Sequence, residues 1–136
     1  MGRLLALMLL APLFASEAES DECLRNLVWE GYKDGWAVRT ATSAVLGAEE
    51  YRVYALTLVG GTTYKVLVCA DGASAEVDIV LHDADGKVAA QDQMSGVQPV
   101  VEFTPPVTGS YFVAVHNRRL SDGALHAAVS MAVTYK

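Results

Sequence analysis

The chain has 136 residues, 52% of them hydrophobic, with 16 acidic against 10 basic side chains and a formal net charge of −6. That size suits one domain large enough to bury a core. The acidic balance excludes nucleic acid as a partner, because phosphates demand a basic face, and Arg118-Arg119 is too little for one.

The first residues read as a secretory signal. Arg3 supplies the positive start, Leu4 to Ala11 form an apolar run, and Pro12 breaks it. Ser16 and Ala18 suit the −3 and −1 positions of a signal peptidase site, so residues 1–18 are expected to be removed after Ala18, with Ala15 as the second choice. The alternative is a membrane anchor, but the uncharged stretch is too short for the roughly 20 residues that a spanning helix needs. Cys23 follows Ser20-Asp21-Glu22, unlike a lipoprotein signal. The chain is therefore expected to be exported, to the periplasm or beyond, with no membrane span after cleavage. In an oxidising compartment the two cysteines, Cys23 and Cys69, are most simply one disulfide; two buried free thiols are the alternative.

The remaining 19–136 read as one domain. Residues 20–35 predict a helix, capped by Ser20 or Asp21, with Leu24, Leu27, Val28, Gly31, Tyr32 and Gly35 on one face. Gly31 and Gly35 either allow close packing on a sheet or mark fraying. From residue 36 to the end the period becomes two. Strands are expected over 36–45, 51–59, 63–70, 76–82, 87–92, 98–103, 110–117 and 124–135. Val77, Ile79 and Leu81 share one face; so do Tyr111, Val113 and Val115, and so do Leu125, Ala127, Val129, Met131, Val133 and Tyr135. Turn residues punctuate the runs: Gly60-Gly61 at hairpin spacing, Asp71-Gly72, Asp83 to Gly86, Ser95-Gly96, Thr108-Gly109 and Asp122-Gly123. Short, regularly spaced strands without intervening helices indicate an all-β antiparallel sandwich or barrel. The count of eight suits a jelly roll, so the fold expected is an antiparallel β-sandwich of jelly-roll type with one N-terminal α-helix.

Between Tyr51 and about Asn117 the sequence resembles the bacterial pre-peptidase C-terminal domain family. The matching pieces are Tyr54 to Leu58, then Val59-Gly60-Gly61-Thr62-Thr63-Tyr64 leading into Val66 to Val68. Glu76 to Asp83 follows, with the turn Asp85-Gly86 and Asp92. Val101 to Pro105 then precedes Thr108 to Tyr111 and Val113 to Val115. The resemblance implies a β-sandwich without catalytic residues and an accessory or binding role outside the cytoplasm. The sequence departs from the common arrangement, because a helix and a cysteine pair precede the module in place of a peptidase domain.

Four acidic residues, Asp78, Asp83, Asp85 and Asp92, are the candidate ligands for calcium, which takes six to eight oxygens. Asp83-x-Asp85-Gly86 echoes half of a calcium loop but lacks a third spaced carboxylate and the downstream bidentate Glu. A hairpin turn explains the same residues, and no metal or other cofactor is expected. Asp78 alternates with core residues, so it faces the less buried side of its strand or bonds backbone. His82, His116 and His126 lack zinc spacing, although His82 and His116 could meet across a sheet. Ser110 has no nucleophile elbow, Cys69 has no histidine partner, and nothing sets Glu49, Glu50 or Glu102 across a cleft. No enzyme activity is expected. Most of the aromatics are assigned to the core, with Trp29 and Tyr32 bridging helix and sheet. The function expected is a non-catalytic exported module that binds a protein or a glycan. The alternatives are an envelope protein of structural or stress-protective role without a specific ligand, and a metal-dependent hydrolase, which would need Asp or His side chains converging in one pocket.

Overall fold

The computed structural model describes residues 15–94 and 96–136. The leader assigned to residues 1–18 falls mostly outside them. Helix α1 spans Glu17–Lys33. Eight strands follow among the described residues: β1 Ala37–Leu46, β2 Tyr51–Leu58, β3 Tyr64–Ala70, β4 Ser74–Asp83, β5 Val88–Asp92, β6 Val100–Phe103, β7 Gly109–Leu120 and β8 Ala127–Tyr135.

They form two antiparallel four-stranded sheets, in the orders β1-β8-β3-β6 (sheet one) and β2-β7-β4-β5 (sheet two). Consecutive strands alternate between the sheets except at β4–β5, which is the jelly-roll order. Gly60-Gly61 is therefore not a hairpin turn: β2 and β3 lie in opposite sheets, and the glycines carry the chain across the sandwich. A Cβ on Gly60 would stand 2.8 Å from Val107 Cα, so only glycine fits against the β6–β7 connection.

The core is the space between the sheets. Leu46, Val66, Val68, Val101, Val129, Met131 and Val133 from sheet one meet Leu58, Val77, Ile79, Leu81, Val113 and Val115 from sheet two. The stripe expected on the last strand is shorter than its pattern suggested, since Leu125 precedes β8 and is exposed, as is Tyr135.

Helix α1 begins before the expected residue 20 and ends before 35. Ser16, in extended conformation, is its N-cap: the side-chain oxygen accepts from Glu19 N–H at 3.2 Å. Ser20 and Asp21 are thus free for other work. At the far end the Gly35 and Trp36 N–H groups donate to the Tyr32 and Gly31 carbonyls, with Gly35 at φ 92°. That is a Schellman stop, so Gly35 terminates the helix.

The helix lies on the outer face of sheet one, against β1, β3 and β8. Leu24, with Leu27 and Val28 beside it, packs on Leu67, Cys69 and Ala132. Small residues on that face of β8 let the helix come close enough for the Ser20 and Ser130 hydroxyls to bond at 2.8 Å, and Ser130 donates on to Asp21. A disulfide joins Cys23 of the helix to Cys69 of β3. Trp29 and Tyr32 do not bridge helix and sheet: both are exposed, stacked on each other at 5.5 Å. They lie off the face that carries Leu24, and the disulfide sets which face is down.

Candidate binding face

With α1 over sheet one, the two outer faces of the sandwich differ. On sheet two, alternation sends Val77, Ile79 and Leu81 inward and their neighbours outward. The registers align the outward residues in rows. Tyr51, His116 and Asp78 form one row, Val53, Ala114, Val80 and Gln91 the next, and Ala55, Phe112, His82 and Val88 the third. Tyr51 is 61% exposed and Val53 follows it on β2; Phe112 is exposed in the third row, and Val88 is exposed at the β5 edge of that row, beyond His82. The centre of the face is apolar, lined by Ala114 and Val80. The aromatics therefore divide between two roles. Trp36, Tyr64 and Tyr111 are buried, whereas Tyr51, Phe112, Trp29, Tyr32 and Tyr135 reach solvent, so the core does not hold most of them.

The charged end of the face is ordered. His116 Nε2 lies 3.2 Å from Glu49 Oε2, and its ring meets that of Tyr51 edge-on, with centroids 6.0 Å apart. Glu49 sits at φ 61°, in the left-handed region, and its N–H donates to the Asn117 carbonyl. Asp78 points to this outer face, opposite Val77 and Ile79, yet is only 1% exposed. Arg118 covers it and donates from Nη1 to Oδ2 at 3.2 Å, while Oδ1 has no partner among the described residues. Loss of water raises the Asp78 carboxyl above the ordinary carboxylate range, Glu76 raises it further, and Arg118 and His116 pull it down.

The other candidate ligands are separately engaged. Asp83 Oδ1 accepts from the Asp85 and Lys87 N–H groups, both at 2.9 Å, closing the β4–β5 hairpin. Asp92 accepts from Met94 and Val100 N–H. His82 and His116 share a face but lie two rows apart, about 13 Å at strand spacing, so they do not meet. His126 is in the loop before β8, beside Gly47. Among the described residues no group of three or more His, Cys, Asp or Glu side chains is placed to hold a metal ion. Glu102 is on β6 opposite Lys65, and Glu50 accepts from Gly47 N–H at the β1–β2 turn.

Asn117, which the residue pattern did not single out, is fully buried on β7, next to His116. Its Oδ1 accepts from Ser74 Oγ at 2.8 Å, and its Nδ2 donates to the Leu46 and Gly47 carbonyls at 3.2 and 3.0 Å. It ties sheet two to the end of β1 in sheet one. Its one sequence signal is an Asn at the next inward position after Tyr111, Val113 and Val115. A separate open groove of about 400 Å³ runs between α1 and β1, lined by Leu24, Val28, Val38 and Ala41 with Asp21 and Arg25.

These features define a jelly-roll β-sandwich with one helix-covered outer face and one bare outer face. The fold is that of the pre-peptidase C-terminal domain. The chain superimposes on such a domain from Bacillus anthracis collagenase with a TM-score of 0.55 and 18% identity, over 71% of this chain and 89% of that one. It is equally similar to Aeromonas hydrophila PliG, a periplasmic lysozyme inhibitor of g-type lysozyme: TM-score 0.56, 15% identity, 74% of this chain and 88% of the other. No protein-family model and no curated protein sequence matches the chain. Among the described residues no helix is long and apolar enough to cross a membrane.

Proposed function

We propose that this protein is an exported, non-catalytic binding module that engages a protein partner through the outer face of sheet two. The carrying observation is the asymmetry of the sandwich. One outer face is closed by α1 and the disulfide, while the other keeps Tyr51, Val53, Phe112 and Val88 in solvent. Exposed apolar and aromatic side chains gathered on one sheet face mark an interaction surface, and aromatic residues dominate such interfaces. The exposed side chains of this face are mostly apolar, with few polar groups converging among them to fix a small ligand, which suits a protein surface. The likeness to a lysozyme inhibitor supports the reading to this extent: the same fold elsewhere presents a protein-binding surface. A structural envelope role without a ligand would be better served by a uniformly polar exterior.

The test uses protein purified from the periplasm of an expressing host, presented to a lysozyme panel including g-type, to periplasmic extract and to a glycan array. The Tyr51→Ala/Phe112→Ala variant should lose the bound protein with each truncation costing about 1–3 kcal/mol of affinity. Tyr51→Ala alone should leave the melting temperature close to that of the parent, while Phe112, 36% exposed, gives up some packing on truncation, so the fold of the double variant is checked by circular dichroism. Binding that survives both truncations unchanged places the contact elsewhere, and binding confined to the glycan array overturns the protein reading.

A further inference from the structure

We propose that export processing cuts the chain between Ala15 and Ser16, so that the new α-ammonium group of Ser16 becomes the ionic partner of the buried Asp71 carboxylate. The inference rests on the export reading above and identifies the bond that is cut.

The −3/−1 pattern by itself favours Ala18, with Ser16 and Ala18 as its small residues. The folded structure favours the other site. Ser16 N lies 2.5 Å from Asp71 Oδ2, across 55 residues of sequence. Asp71 is 2% exposed, and its other oxygen accepts from Ala73 N–H at 3.0 Å. It sits in the β3–β4 turn, where Gly72 N–H also donates to Glu19 Oε1 at 3.0 Å. The start of α1 is thereby stapled to this turn at two points.

A chain beginning at Glu19 would lose Ser16 and everything it holds. The N-cap bond to Glu19 N–H goes, as does the Ser16 carbonyl that accepts from Ser20 N–H at 3.2 Å. The Glu17 carbonyl that accepts from the buried Ser20 hydroxyl goes too. Asp71 Oδ2 would lose this donor, and α1 would keep only the Glu19 contact to the β3–β4 turn.

A chain beginning at Ser16 keeps all of these. It also changes one donor from a neutral amide to an ammonium group, so the bond to Asp71 becomes charge-assisted and the buried carboxylate gains a counter-charge. Ser16 lies in extended conformation just before the helix, so a free terminus there interrupts no turn. On the leader side Ala15 gives the small residue at −1 while Leu13 stands at −3, so the folded side of the bond, not the peptidase pattern, favours this site. The reaction is amide hydrolysis: water adds across the Ala15–Ser16 bond, Ala15 leaves as a carboxylate with the leader, and Ser16 retains the nitrogen as an ammonium.

The deciding experiment expresses the full chain in a Gram-negative host and reads the first residues of the exported protein by Edman sequencing and intact mass. Ser-Glu-Ala-Glu-Ser is expected. A predominant Glu-Ser-Asp-Glu-Cys start overturns the proposal while leaving export standing, and retention of Met1 overturns the export reading itself. The pairing is read separately by titrating the Ser16 α-amino group by NMR in the mature protein. It should titrate above the ordinary range of about 7.7–8.0 and return to that range in Asp71→Asn. An α-amino group that titrates alike in both proteins overturns the ion pair.

Discussion

Removing the Cys23–Cys69 disulfide should be the most damaging surgical change to stability. The bond spans a sequence separation of 46 residues and joins α1 to β3. In the chain-entropy treatment a loop of that length withholds about 13–14 cal/mol/K from the unfolded chain, or about 4 kcal/mol at 25 °C. Apolar burial of the helix is thin, with Leu24 its one buried apolar residue and Leu27 and Val28 partly buried beside it. The double variant Cys23→Ser/Cys69→Ala removes the bond and leaves a small apolar side chain at the buried position. For a domain of this size each kcal/mol moves the melting temperature by roughly 4 °C, so a fall of roughly 15 °C is expected. Urea denaturation of parent and variant, followed by circular dichroism, measures the difference. A loss below about 1 kcal/mol would refute the reasoning, since it would mean the unfolded chain gains little freedom when the loop opens.

Other outcomes follow from single contacts. Asn117→Ala removes one accepted and two donated bonds inside the core, leaving Ser74 only its longer contacts to the Glu76 and Arg119 carbonyls, so a loss of about 1–3 kcal/mol is expected in chemical denaturation. Gly60→Ala drives a methyl against the backbone of Val107 and Thr108 and should cost about 1–3 kcal/mol, whereas Gly47→Ala, whose nearest contact is the flexible Glu50 carboxylate, should cost less. Asp78→Val removes a buried charge and an unpartnered oxygen, while Arg118, partly exposed, returns to water; melting at neutral pH should rise. The pH dependence carries the sign. A carboxyl whose folded value is raised above 3.8 binds protons more tightly when folded, so stability falls as pH rises through that window. Parent and Asp78→Val should therefore differ most at neutral pH and converge on acidification; a variant that melts lower at pH 7 would show that the ion pair outweighs burial.

Local signals carried much of the architecture. Period-two alternation in β4 and β7 is visible because one side of each strand faces the core and the other does not. The strands lie within two or three residues of their expected bounds at nearly every end. The jelly-roll order was legible only through strand number and the family resemblance, since no residue at Gly60-Gly61 distinguishes a hairpin from a crossover between sheets. The helix runs Glu17–Lys33 rather than 20–35 for a similar reason. Ser16-x-x-Glu19 carries a capping signal as good as any at Ser20, but it overlapped a plausible cleavage site.

The binding face shows the limit most clearly. Tyr51, Val53, Phe112 and Val88 come from three strands that are distant in sequence and meet only through the β2-β7-β4-β5 registers. Buried Tyr111 and exposed Phe112 are neighbours of the same chemical kind, and only the pleat separates them. Asp78 likewise reads as an outward residue on its strand; that it is buried is decided by Arg118 on β7. The amino-acid order by itself determined which segments are strands, where the helix sits and that two cysteines were available to pair. The tertiary structure decided which face the helix covers and which is left bare, because the outer surfaces of a sandwich become different only when a third layer settles on one of them.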